Sequence, residues 1–150
     1  MILVGYDGPD RVKRASEEIK KRFEVAIDYA DGSTEEKKRE ILSEVEVALC
    51  AARAGLQVLS KDQLNAAPKL LVAADVNAVP PPGIEGLGIK ANGEEIGKKG
   101  ALGIGPLAIG DIKYKTESGL FKAMIAAKKP VALDFRDAFK LARELTGGNG

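Results

Sequence analysis

The chain has 150 residues, of which 45% are hydrophobic and 30% charged, and a chain of this length fits one ordinary domain that buries roughly two-thirds of its unfolded surface. Its 23 Lys and Arg against 22 Asp and Glu give no basic field for gripping phosphate backbones or anionic lipid, so neither nucleic acid nor a membrane surface is the expected partner. With no His, Ser-His and Cys-His catalysis and His-ligated metal sites are excluded.

Residues 1–5 lack the positive lead and apolar length of a signal peptide, and no apolar stretch reaches membrane-spanning length, which predicts a soluble protein in a reducing, cytoplasmic setting. The chain opens in what reads as the middle of a strand, Ile2 to Tyr6, so the natural start is expected upstream. Asp7-Gly8-Pro9 ends that strand, with Pro9 suited to a first helical position. Val12, Ala15, Ile19 and Phe23 then recur at helical spacing, predicting an amphipathic helix over 9–22. Val25-Ala26-Ile27 reads as a second strand closed by Asp31-Gly32, and Ser33 with Glu36 as a capping box opening a helix to Ser43.

Val45 to Ala52 is the third strand, in which the one cysteine, Cys50, reads as a small buried hydrophobe. Ser60 with Gln63 predicts a short capped helix, and Leu70 to Ala74 a fourth strand apolar on both faces, as in covered parallel sheets. From Val79 to Gly100, Pro and Gly break regular structure, leaving room for a small hairpin at Ala91-Asn92-Gly93. A last strand over 101–104 precedes helices over 112–128 and 134–145, the latter capped by Asp134, and 147–150 reads as a frayed end. No internal repeat or interdomain linker is visible. The alternation predicts a doubly wound parallel sheet with right-handed crossovers.

Ligands of open α/β sheets sit beyond the carboxyl ends of the strands, so the residues following each apolar run are the candidates. Asp7 follows the first run; there a carboxylate either accepts both hydroxyls of an adenosine ribose or serves as a turn residue capping the next helix with Asp10. Ala51-Ala52-Arg53-Ala54-Gly55 follows the third, a small-residue loop that admits close approach of a flat ligand, with Arg53 facing either an anionic group or solvent. Asn77 follows the fourth and either pairs with a carboxamide or closes an Asx-turn.

Gly103-Ile104-Gly105-Pro106-Leu107-Ala108 matches G-x-G-x-x-A. Pro106 removes an amide, though, and no strand ending in an acid follows, so it reads as close packing of the last strand or as the shape of the cleft edge. Asp7, Asp28 and Asp75 invite comparison with a phosphoacceptor domain, but the paired acids and partner Lys are not evident. No Gly-rich phosphate loop precedes the strand ending in Asp7. In the usual strand order that unit supplies the central strand, so the strands at 2–6 and 45–52 are expected to flank a vacant position.

Several of these segments together resemble one family. They are Val4-Gly5-Tyr6-Asp7-Gly8 with Asp10-Arg11-Val12, Cys50 to Gly55, Ala74-Asp75-Val76-Asn77-Ala78-Val79-Pro80-Pro81 with Gly83-Ile84-Glu85-Gly86, Gly100 to Gly105, and Leu133 to Phe139. They look like the NAD(P)-dependent methylenetetrahydromethanopterin dehydrogenases. The resemblance implies a Rossmann-like remainder lacking its first βα unit (about 1–110) with C-terminal helices (about 111–146), a single partial NAD(P)-binding domain. It places Tyr6 and Asp7 near the adenosine ribose, Ala52, Arg53 and Ala54 near the middle of the cofactor, and Val76 and Asn77 near the nicotinamide.

Some members carry Arg where this chain has Asp7, so Asp7 favours NAD over NADP, although Arg11 or Arg14 offers a partner for a 2′-phosphate. The implied parent reaction is hydride transfer from a tetrahydromethanopterin-type one-carbon carrier, in its methylene form, to NAD or NADP. Most catalytic groups belong to a pterin-binding region without counterpart here, so no catalytic residue is assigned and this chain alone is expected to be inactive. The alternative is a stand-alone, non-catalytic nucleotide- or protein-binding module whose first strand pairs directly with its third. An unpaired central edge would also favour self-association, so a homo-oligomer is among the expected states.

Overall fold

A computed structural model describes residues 1–147, so Gly148 to Gly150 of the expected frayed end lie outside the described residues. The elements run β1 (Ile2–Gly5), α1 (Asp10–Phe23), β2 (Asp28–Asp31), α2 (Glu35–Glu44), β3 (Val47–Cys50) and α3 (Lys61–Ala66). They continue as β4 (Val72–Asp75), β5 (Asn92–Ile96), β6 (Ala101–Ile104), α4 (Pro106–Ala126) and α5 (Phe135–Leu145). The fold is the mixed α/β, parallel-dominated arrangement with C-terminal helices that the alternation predicts.

The strands form two sheets. β1 pairs in parallel with β2, Ile2 opposite Asp28 and Gly5 opposite Asp31. The other sheet has the order β3-β4-β6-β5, parallel except for β5. Among the described residues no pairing joins β1 to β3. Set against the doubly wound order 3-2-1-4-5-6, the β2-β1 pair matches places 3 and 2 and the run β3-β4-β6 matches places 4, 5 and 6, and no strand among the described residues corresponds to place 1. Val47 and Leu49 of β3 are 62% and 64% exposed, and Ile2 and Val4 of β1 are 43% and 44% exposed. These i, i+2 pairs each share one face of their strand, so their exposure marks a sheet face that no helix among the described residues covers. The direct pairing of first and third strands, on which the stand-alone alternative rests, is absent.

Several boundaries differ from those expected, each for a local reason. β2 is Asp28–Asp31 rather than 25–27, because pairing with β1 sets its register and its outer position tolerates polar residues. α2 is capped by Thr34, whose Oγ1 accepts from the Lys37 amide; the Ser33 amide instead donates to Asp31, so the expected Ser33 box does not form. α4 begins at Pro106 rather than 112, since Pro at N1 gives up only an amide that would lack a helical partner anyway. The hairpin is β5–β6, with its turn at 97–100, where Gly97 and Gly100 have φ of +69° and +75°. The Ser60–Gln63 capping box forms as expected, and Asp134 caps α5 in a box completed by Asp137.

The core is Leu42, Cys50, Leu59, Leu64, Ala67, Leu70, Ala73, Ile84, Leu87, Ala91 and Ala101, all from α2 onward. Gly103 and Gly105 serve this packing, as read from the sequence. A Cβ on Gly103 would fall 2.6 Å from Leu87 Cδ1, and one on Gly105 2.2 Å from the Gly88 carbonyl oxygen. Phe23, at the end of α1, meets Phe135 of α5 edge-on at 5.6 Å. No helix among the described residues is long and apolar enough to cross a membrane.

Candidate functional site

The carboxyl ends of β1, β3 and β4 carry the candidate residues. β1 ends in a turn too tight for any side chain at its first position: a Cβ on Gly5 would lie 1.9 Å from the Gly8 carbonyl oxygen. The Gly32 amide donates to the Gly5 carbonyl at 2.8 Å and holds the ends of β1 and β2 level. On that turn Tyr6 is half-buried and Asp7 exposed. Arg11, one helical turn on, brings Nη2 to 3.5 Å from Asp7 Oδ1 and lies 5.5 Å from the centre of the Tyr6 ring.

An exposed, long ion pair of this kind contributes little to stability and gives way readily to a ligand. α1 starts at Pro9 with no side-chain cap, so Asp7 is not spent as the capping residue that the alternative reading supposes. Arg14 is exposed on α1. At the same end of this sheet stands Asp31, which sequence reading treated only as a turn. Its carboxylate accepts from Lys37 Nζ and the Ser33 amide, and these bonds, Lys37 first, hold its pKa down at about 2.

The ends of β3 and β4 are tied together more firmly. The Val76 amide donates to the Cys50 carbonyl at 3.1 Å, and Asn77 Nδ2 donates to the Ala52 carbonyl at 2.7 Å. With Nδ2 held by Ala52, the Asn77 side chain is oriented so that Oδ1 is its available acceptor. Ala52 is half-buried, while Arg53 and Ala54 are exposed and Arg53 forms no ion pair among the described residues. Gly55, at φ +75°, passes close to the 80s loop, a Cβ there lying 3.6 Å from the Pro80 carbonyl oxygen. Val76 is 43% exposed, an apolar surface beside the polar Asn77.

Asp75, which sequence reading did not single out for this site, is fully buried at the end of β4. It accepts from the Asn77 amide at 3.0 Å and the Gly83 amide at 2.6 Å. A D-x-N run directly after an apolar strand is the signal that could have found it. Cys50 is buried as expected; burial, and next the negative charge of Asp75, push its thiol up to about 12, which removes it as a nucleophile. Asp28, read as a strand-end acid, instead begins β2, which further weakens the phosphoacceptor comparison.

The candidates thus form two clusters, Tyr6, Asp7 and Arg11 on the β1–β2 sheet and Ala52, Arg53, Ala54, Val76 and Asn77 at the ends of β3 and β4. The donor set suits a dinucleotide: an exposed carboxylate held only by a long contact to Arg11 for a ribose diol, a small-residue loop at the middle, and an oriented amide beside an apolar side chain for a nicotinamide. A separate groove of about 670 Å³ lies between α4 and α5, lined by residues such as Ile104, Ile112, Phe135 and Phe139. It shares no residue with either cluster.

Comparison with known proteins agrees with the resemblance read from the sequence. The chain is 43% identical over 146 residues, 97% of its length, to the NAD(P)-dependent methylenetetrahydromethanopterin dehydrogenase of Methylorubrum extorquens, covering 49% of that protein. It is 28% identical over 136 residues to the bifunctional protein MdtA of the same organism, covering 46% of it. The chain therefore spans about half the length of the curated relatives it matches. No protein-family model matches the chain.

Proposed function

We propose, with the likeness to half of a methylenetetrahydromethanopterin dehydrogenase as the premise, that this chain is the nicotinamide-cofactor portion of an oxidoreductase of that type. The observation that carries the reading is the position of Asp7 and Asn77 just beyond the carboxyl ends of the parallel strands β1 and β4. In the doubly wound fold a dinucleotide crosses the sheet at the switch point.

The parent reaction on this reading is hydride transfer from the methylene carbon of methylenetetrahydromethanopterin to C4 of the nicotinamide, giving the methenyl form. The cofactor supplies the hydride chemistry; the protein supplies orientation and surroundings. Asp7 accepts the ribose hydroxyls, displacing its weak contact with Arg11. Ala52, Arg53 and Ala54 line the middle of the cofactor, where the absence of bulky side chains keeps the backbone close. Asn77, oriented by Ala52, accepts from the carboxamide through Oδ1, and Val76 gives the ring an apolar neighbour.

The negative charge of Asp7 and Asp31 favours NAD over NADP at the adenosine end. The chain is one partial domain, works in the cytoplasm, and is inactive without the pterin-binding and phosphate-binding parts of a complete enzyme. Its one-carbon partner is a tetrahydromethanopterin-type carrier.

Calorimetric titration of the purified chain with NAD and NADP, with circular dichroism establishing that it is folded, tests this reading. Saturable binding, tighter for NAD, with the preference narrowed by Asp7→Ala, is the expected result. A folded chain that takes up neither dinucleotide overturns it.

A further inference from the structure

Asp75 is a buried carboxylate that the proposed chemistry does not use directly. Its side chain has no access to solvent and forms no ion pair among the described residues; its hydrogen bonds come from two backbone amides, Asn77 at 3.0 Å and Gly83 at 2.6 Å. Burying a carboxylate without a cation is costly, and a pair of amide donors offsets that cost only while both are held in place.

The two amides bracket the first part of the segment that follows β4, Asn77 near its start and Gly83 near its middle. Gly83 is fixed on its other side as well, its carbonyl accepting from the Val58 and Leu59 amides at 2.8 and 2.9 Å. Asn77 in turn donates its side-chain amide to Ala52, on the loop after β3. A chain of hydrogen bonds thus runs from the core segment 58–59 through Gly83 and Asp75 to Asn77 and Ala52. There is no room to shorten it, since a Cβ on Gly83 would stand 3.0 Å from both carboxylate oxygens of Asp75.

We infer that Asp75 is a positioning residue: it fixes the backbone of Asn77, and through Asn77 the direction of the side-chain acceptor offered to the nicotinamide carboxamide. The inference rests on the cofactor reading above and deepens it. Asp75 touches no part of the cofactor. It sets the geometry of the nicotinamide end alone, because the adenosine end is carried by β1 and β2, to which this hydrogen-bond chain does not extend.

The test compares NAD with ADP-ribose, which retains the adenosine and both phosphates but lacks the nicotinamide. Affinities are measured by calorimetry or, for weak binding, by amide chemical shifts, on the wild-type chain, Asp75→Asn and Gly83→Ala. Asp75→Asn places an amide group where an acceptor is required. Gly83→Ala crowds the carboxylate from the other side, and serves if the first variant does not fold.

Wild type is expected to bind NAD more tightly than ADP-ribose. The variants should lose about tenfold in NAD affinity, the effect of one hydrogen bond to a charged group, and should keep ADP-ribose affinity unchanged. A variant that retains the NAD margin overturns the inference and leaves the cofactor reading intact. Equal loss for both ligands, accompanying a lower Tm, also overturns it, by reducing Asp75 to a fold-stabilising role. A wild-type chain that binds neither ligand overturns the cofactor reading itself, and the inference with it.

Discussion

The region around β1, α1 and β2 differs from the region around β3, β4 and β6 in how its site residues are held. Every member of the buried core cluster lies at Leu42 or later, and the ends of β3 and β4 are joined by backbone bonds, by Asn77 and by Asp75. The β1–β2 pair presents Ile2, Val4 and Tyr29 to solvent, and its site residues Asp7 and Arg11 meet in an exposed, 3.5 Å ion pair. The lesson is that the Ala52–Asn77 cluster is preformed on a packed scaffold, whereas the Asp7–Arg11 cluster sits on a two-stranded unit outside the buried core. Two-stranded pairs gain little stability in isolation.

The largest expected effect breaks the comparison at its packed side. Ile84 is fully buried, and Ile84→Ala should cost about 2–5 kcal/mol in urea unfolding, while Ile2→Ala, on the exposed edge, should cost under about 1 kcal/mol. Equal losses at the two positions would mean that the two regions are packed alike.

Next in size is Asn77→Ala. It removes the bond to the Ala52 carbonyl and should lower stability by about 1 kcal/mol. In a complete parent enzyme it should also weaken cofactor use; unchanged cofactor KM and turnover there would remove Asn77 from the site.

The smallest effect concerns acid and belongs to the exposed side. Because the folded-state pKa of Asp31 is lowered from 3.8 to about 2, its contribution is fully present above 3.8 and is lost as pH falls toward about 2. The junction of β2 with α2 should therefore loosen over that window. Carboxyl chemical shifts report the midpoint, and Lys37→Met should raise it toward the ordinary value. A midpoint near 3.8 in the unmodified chain would show that the Lys37 contact does not hold in solution.

Much of this arrangement was legible in the sequence where apolar runs coincide with pairing. The third and fourth strands, the box at Ser60 and the cap at Asp134 could all be read directly. The misses fall where the local signal and the tertiary partner disagree. Val25-Ala26-Ile27 is the more apolar segment, yet registry with β1 makes Asp28–Asp31 the strand. β5 is Asn-Gly-Glu-Glu-Ile, without an apolar run, and is a strand only because β6 offers it an edge.

At the site, the strand-end rule pointed to Asp7, Ala52 and Asn77 because they follow apolar runs, and Tyr6, Arg11 and Val76 were proposed through the family resemblance. Asp75 was passed over because its importance lies in accepting two backbone amides, one of them eight residues further along the chain, a relation that spacing does not display.

The most direct test of the cofactor crossing between the two clusters is amide chemical-shift mapping of the isotopically labelled chain during titration with NAD. The account predicts concerted shifts in two separated groups, 6–11 on the β1 side and 52–54 with 76–77 on the β3–β4 side, saturating with a single dissociation constant. Shifts confined to the α4–α5 groove, or to one of the two groups alone, would contradict it.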